Sequence, residues 1–247
     1  ALSEGRFQLG VASQVRGNVV GRFSAEWSEP VARLRDYVAS LRAIFAAFRT
    51  GEPLDHQGPH YRFDRLQPYF NPGPLGCPEP TIWTGGVNQR MTTLAGEVAD
   101  GFVCHPTSSH PEVIRALLRP ALDDGCTLAG RTDGGPLIVA GPQPLTAADR
   151  DELEGTREQR REELAFLYST PAYRRQLEVF GLAELGETLS AMAARGDWSG
   201  LAAHLDDDVM RTLLPEGTYA ELPDVLDRWY AGLCHGLVLS ARPDEVA

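Results

Sequence analysis

The chain has 247 residues, a formal net charge of −11, and 23 basic residues, every one of them arginine. That length buries a sizeable core in one large domain or two small ones. The acidic balance argues against nucleic acid or anionic membrane as a partner, and the lack of lysine excludes a Schiff-base amine and a P-loop.

No apolar run reaches bilayer length and no charged-then-apolar leader opens the chain, so a soluble, cytoplasmic protein is expected. Cys77, Cys104, Cys126 and Cys234 have no zinc-site spacing and are read as reduced thiols. The first residue is Ala1 and a strand follows almost at once, as in the remainder of a longer protein.

Arg6 to Ser13 reads as a strand with Phe7, Leu9 and Val11 on one face. It runs out into Ser13-Gln14-Val15-Arg16-Gly17-Asn18, which either presents hydrogen-bonding groups to a ligand or is a solvated loop. Ser28 is placed to cap a helix whose apolar stripe is Val31, Leu34, Val38, Leu41, Phe45 and Phe48. From Gly51 to Pro80 the pattern breaks into Gly, Pro and aromatic residues, with a short hairpin expected around Gln57-Gly58. An insertion of this kind is expected to be a lid or binding loop over the site. His56 and His60 are four apart, but the intervening glycine and proline forbid the helix that would make them a metal pair.

Thr81-Ile82-Trp83-Thr84 is a buried strand, followed by Gly85-Gly86-Val87-Asn88-Gln89-Arg90-Met91, a glycine pair leading into a helix. Paired glycines admit close approach of the backbone, and the free N–H groups of a helix start attract an anion, so this is phosphate-binding chemistry. An ordinary strand-to-helix turn has the same sequence. Met91, Leu94, Ala95 and Val98 then pack inward, and Phe102-Val103-Cys104 forms the next strand, parallel to the last, ending at His105-Pro106. Ser109 is placed to cap a helix that Pro120 interrupts. Pro136 to Gly141 is a further strand, and Thr146 with Asp149 resembles a capping box for a charged helix running to about Tyr168. Residues 170–232 read as helical, broken near Gly181, Gly196 and Pro215, and Gly236 to Ser240 is the last strand.

Five strands alternating with helices, and no G-x-G-x-x-G, favour an α/β barrel of eight strands, three of which are not in this sequence. Ser13, Gly85, His105 and Gln143 are then expected at one edge of the parallel strands.

The residues Gly5-Arg6-Phe7 with Leu9-Gly10-Val11, Ser13 to Gly17, Thr84 to Met91, Ala95-Gly96-Glu97-Val98-Ala99-Asp100-Gly101, Tyr168 to Arg174 and Asp206 to Val209 resemble the luciferase-like monooxygenases. They are most similar to the actinobacterial branch that uses the deazaflavin coenzyme F420. The resemblance implies a TIM-type (β/α)8 barrel, N-terminally incomplete, as one domain over 1–247. It implies that Thr84, Gly85, Gly86 and Val87 meet the cofactor phosphate, with Asn88 and Arg90 assisting, and that Ser13 and Gln14 hydrogen-bond the cofactor. Ala12 stands where the family usually has glycine, and Asn18 where the close branch has histidine. His105 would face the same mouth, either as a proton donor or as a histidine satisfied at the rim. The implied activity is hydride transfer between F420 and a small organic substrate, with FMN-dependent monooxygenation as the alternative. A non-catalytic barrel remnant that pairs with another chain, for instance as a homo-oligomer, is the rival from another class.

Overall fold

The computed structural model describes residues 2–132 and 134–239. In chain order it contains β1 (Gln8–Gly10), α1 (Pro30–Thr50), β2 (His56–Gln57), β3 (Arg62–Phe63), β4 (Thr81–Thr84), α2 (Gln89–Val98), β5 (Gly101–Val103), α3 (Pro111–Val113), α4 (Arg119–Leu128) and β6 (Leu137–Ala140). Then follow α5 (Arg150–Tyr168), α6 (Arg174–Glu178), α7 (Ala183–Ala194), α8 (Asp207–Leu213), α9 (Leu222–Tyr230) and β7 (Gly236–Leu237). The strands β1, β4, β5, β6 and β7 are parallel and succeed one another in chain order, the order that βαβ crossovers produce. The remaining two form an antiparallel hairpin, with Gly58 N–H donating to Tyr61 O across its turn.

The described parts of Ala1–Gly86, Arg90–Phe102 and Ala121–Pro136 form one compact unit. β1 pairs with β4 from Gln8 opposite Thr81 to Gly10 opposite Trp83, and β4 pairs with β5 through Trp83 and Thr84. The core of this unit is Leu34, Val38, Ile82, Met91 and Leu94, with Val11, Val31, Leu41, Phe45 and Val98 packed around it. Most of the expected α1 stripe and the expected inner face of α2 therefore meet over β4.

The run Ala95 to Gly101 is structural in its detail. A Cβ on Gly96 would lie 2.1 Å from Leu122 O, and one on Gly125 would lie 1.9 Å from Thr93 O, so the two helices cross in backbone contact. Arg131 donates to Gly96 O and Ala99 O, and Cys126 Sγ–H donates to Gly96 O. Glu97 takes a two-bond fork from Arg35, while Asp100 accepts from Ile82 N–H at 2.7 Å and from Arg42. The stretch that carries so much of the family resemblance thus ties α2 to its neighbours.

The second unit comprises Val87–Gln89, Val103–Pro120 and the described part of Leu137–Ala247. Cys104 N–H donates to Val139 O, and β6 pairs with β7 through Val139 and Ala140. Its main core joins Leu164, Tyr168, Leu177, Leu189, Met192, Leu205, Met210 and Leu213 from the helical stretch.

Several local expectations are corrected. Phe7 is 54 % exposed, and the regular strand starts one residue after it, at Gln8. Glu29, in the left-handed region at φ 42°, is the residue before α1, and Ser28 instead accepts from Arg33 Nη2. His110, not Ser109, caps α3 by accepting from Glu112 N–H; Ser109 Oγ–H donates to His105 O and its oxygen accepts from Gly141 N–H. Pro120 does not break the helix, because the residues before it, Ile114–Leu118, widen into a π turn that continues into α4. The capping box of α5 is Asp149 with Glu152: Asp149 accepts from Glu152 N–H and Glu152 accepts from Ala148 N–H. The last strand covers Gly236–Leu237, and Ser240 lies outside the described residues.

Candidate functional site

Parallel strands present their C-terminal ends as the place where ligands bind. Ser13, Gly85, His105 and Gln143 each follow the C-terminal end of one of these strands.

In the first unit the segment after β1 does not stay extended. Gln14 is left-handed, with φ 61°, and the chain then winds into a π turn over Asn18–Arg22. Ser13 Oγ–H donates to Gln14 O, and Gln14 Oε1 accepts from Asn18 Nδ2 at 3.1 Å. A left-handed non-glycine residue costs about 1 kcal/mol, and the side-chain bond from Asn18 helps to offset it.

At the end of β4, Thr84 is 4 % exposed and its hydroxyl is buried with no hydrogen-bond partner among the described residues. Buried polar groups are usually satisfied, so an orphaned hydroxyl at the C-terminal end of a strand is a position that suits a ligand atom. Neither Gly85 nor Gly86 has positive φ. Gly86 is required for another reason: a Cβ there would lie 2.8 Å from Met91 Cγ and 2.9 Å from Met91 Cβ. The first turn of α2 folds back onto the glycine. Arg90 is exposed on that turn, and among the described residues no acidic group pairs with it.

In the second unit Val87 O accepts from Gln176 Nε2 at 2.9 Å, and the same amide nitrogen reaches Ser108 Oγ at 3.2 Å. Arg175 Nη1 donates to Gln89 Oε1. Two consecutive residues of α6 thus hold the end of the glycine loop, and Gln176 does so while 1 % exposed. Sequence reading did not single out Gln176, since its partner lies 89 positions away and glutamine at a helix has no distinctive spacing.

His105 precedes a short 3-10 turn, Pro106–Ser108. Its Nδ1 accepts from Thr107 N–H at 3.3 Å and lies 2.8 Å from Thr107 Oγ1. Nδ1 is therefore the unprotonated nitrogen of the neutral ring, and Nε2–H donates to the Tyr173 oxygen at 3.2 Å. The two rings stack with centroids 4.7 Å apart. Burial pushes the His105 pKa below its usual value, so the ring is neutral at neutral pH. Burial likewise raises that of Tyr173, which keeps the phenol protonated. With its oxygen accepting from His105, Tyr173 has its own O–H proton left to donate. Tyr173 lies in the stretch from Tyr168 to Arg174 that carried part of the resemblance, but its pairing with His105 is a product of tertiary structure.

His56 is accounted for by Asp36: its Nε2 lies 2.7 Å from that carboxylate. No cluster of three or more His, Cys, Asp or Glu side chains suited to a metal occurs among the described residues, and no helix there is long and apolar enough to cross a membrane.

Parallel strands that succeed one another in chain order, joined by helices, define an α/β protein of barrel type. The family model described as luciferase-like monooxygenase matches residues 1–235, and the chain belongs to that family. An uncharacterised protein of Mycobacterium tuberculosis is 35 % identical over 241 residues, covering 98 % of this chain and 69 % of that one. The 5,10-methylenetetrahydromethanopterin reductase of Archaeoglobus fulgidus is 27 % identical, covering 92 % and 64 % respectively. An F420-dependent glucose-6-phosphate dehydrogenase of Nakamurella multipartita is 35 % identical over 129 residues, covering 51 % of this chain and 35 % of that one. Among solved structures, the coenzyme F420 dependent tetrahydromethanopterin reductase of Methanopyrus kandleri superposes with a TM-score of 0.71 at 18 % identity, over 97 % of this chain and 70 % of that one. The EDTA monooxygenase of Chelativorans has a TM-score of 0.62 at 16 % identity, over 99 % and 65 %.

Proposed function

We propose that this chain supplies the phosphate side, and part of the ring side, of an F420-dependent oxidoreductase acting on a small organic substrate in the cytoplasm. The observation that carries the reading is the orphaned buried hydroxyl of Thr84 at the end of β4, ahead of a helix start whose Arg90 has no acidic partner among the described residues. These groups fit an anionic cofactor, and a relative over about half of the chain bears F420 in its name. The deazaflavin, when bound, supplies the hydride chemistry.

The protein's own share is orientation and proton handling. Thr84 offers a hydroxyl, Gly85, Gly86 and Val87 offer backbone N–H groups, and Arg90 with Asn88 adds polar contacts at the start of α2. Ser13 and Gln14 serve the same ligand from the end of β1. Gln176 keeps Val87 from drifting by holding its carbonyl. The proton-handling role falls to His105 with Tyr173: the neutral imidazole donates to the phenol oxygen and leaves the phenol hydrogen to be given.

The test is fluorescence titration of the intact gene product with F420, and separately with FMN. F420 is expected to bind, with Arg90→Ala weakening it roughly ten- to a hundredfold and the loss shrinking as salt rises, since one charge-assisted hydrogen bond is removed from an exposed position. Binding of FMN and not F420 transfers the site to the flavin alternative. Binding of neither overturns the cofactor assignment.

A further inference from the structure

Within the first unit a cavity of about 460 Å³ opens between the end of β1 and the N-terminal half of α1. Its aromatic lining residues are Trp27, Tyr37 and Tyr61, and its polar lining includes Ser13, Glu26 and Arg33. Tyr61 is placed there by Asp36, a 5 % exposed carboxylate of α1 that accepts from the N–H groups of His60 and Tyr61, each at 2.7 Å. The Tyr37 and Tyr61 rings meet at 5.5 Å between centroids. The aromatic wall is therefore fastened to the helix that carries Arg33.

Arg33 is the unusual lining group. Its Nη2 donates to Ser28 Oγ at 3.0 Å, and its Nε–H is buried with no acceptor among the described residues. Nε and Nη2 form the edge of a guanidinium that takes a carboxylate by two parallel bonds. Here one position of that edge holds a neutral hydroxyl and the other holds nothing. Asp36, the nearest acid along the helix at i+3, is spent on His56, His60 and Tyr61, and among the described residues no carboxylate pairs with Arg33. A half-buried cation without a counter-charge is costly, and a ligand carboxylate relieves that cost. Glu26 also lines the cavity but is exposed, so water screens its charge.

The geometry points to this cavity as a binding site for a small planar carboxylate, its ring against the aromatic lining and its acid on the Arg33 edge. Ser13 lines the cavity and is also a residue assigned above to the cofactor, so the bound acid would be the substrate of that oxidoreductase. The substrate role rests on the function proposed above; the carboxylate site itself does not.

The probe is benzoate, with benzamide as its uncharged match, titrated into the intact protein while the Trp27 indole N–H resonance is followed and assigned by Trp27→Phe. Benzoate is expected to bind at least tenfold more tightly than benzamide. Arg33→Gln should weaken benzoate roughly ten- to a hundredfold and leave benzamide nearly unchanged, while Arg33→Lys, which keeps the charge but loses the fork, should fall between. Equal binding of the two probes, a Trp27 signal that moves with neither, or no effect of Arg33→Gln in a well-dispersed folded spectrum would overturn the site. Repeating the titration with saturating F420 separates the two claims. Displacement of benzoate by F420 assigns the carboxylate site to the cofactor's own acidic groups and overturns the substrate role, whereas simultaneous binding supports it. Failure of F420 to bind with benzoate discrimination intact removes the proposed function and leaves the site.

Discussion

Replacing Asp36 by alanine should release the hairpin of β2 and β3 from α1. Asp36 receives His60 N–H and Tyr61 N–H on one carboxylate oxygen and the His56 ring on the other. Burial opposes its ionisation, yet the two backbone N–H groups and His56 outweigh that and hold its pKa below the usual carboxylate value. Alanine removes the acceptor and leaves two buried backbone donors and an imidazole unmatched, a loss of about 3–5 kcal/mol on the scale of broken buried charge networks. Asparagine keeps one neutral acceptor, and neutral bonds are roughly half as strong, so about 1–2 kcal/mol should be lost. Amide hydrogen exchange at His60 and Tyr61 reads the event locally, and urea unfolding reads it globally. Both amides should lose protection in Asp36→Ala, with intermediate protection in Asp36→Asn. Wild-type protection in Asp36→Ala, with stability unchanged within about 0.5 kcal/mol, would refute the anchoring argument. The same anchor bears on the loop expected as a lid, because the hairpin part of residues 51–80 is bonded to α1 before any ligand arrives.

Gly86→Ala should cost about 1–3 kcal/mol in urea unfolding even without cofactor, because its Cβ meets Met91 Cβ and Cγ below 3 Å; stability equal to wild type would show that the turn yields freely. This makes Arg90→Ala the cleaner probe of anion binding, since it leaves that packing intact. Burial pushes the His110 pKa down to about 4 from an ordinary 6.5, so the unfolded chain takes up the proton first as pH falls. The stability associated with neutral His110 should be complete above about pH 6.5 and fall by about 2 kcal/mol by pH 4, after allowance for partial exposure, and His110→Phe should flatten that limb if the assignment holds. Cys104 is 2 % exposed and burial pushes its thiol up to about 12, so iodoacetamide at pH 8 should label Cys77 well before Cys104; early labelling of Cys104 would contradict its burial.

Periodicity settles α1, α2 and the parallel strands, because an apolar residue every third or fourth position, or a short buried run between glycines, leaves few alternatives for burial. The stripe through Leu34 and Val38 and the inner face through Met91 and Leu94 are legible for that reason, and the order of strand and helix points to parallel strands in chain order. Helix starts were less legible: serines and a threonine at plausible positions lost to Glu29, His110 and Asp149, since capping depends on where the chain arrives from. The glycine pair was legible as a turn, but only tertiary structure shows that Gly86 answers to Met91 and that Val87 is held by Gln176. Tertiary structure alone also pairs His105 with Tyr173 and Asp36 with the hairpin, and leaves Arg33 without an acid among the described residues. The contacts of Asp36, His105 and Val87 join residues 20 to 89 positions apart, where one side chain carries no local trace of its partner. Local sequence governs which backbone conformations and buried faces are affordable; the chemistry of a site depends on which distant polar groups find each other and which are left over.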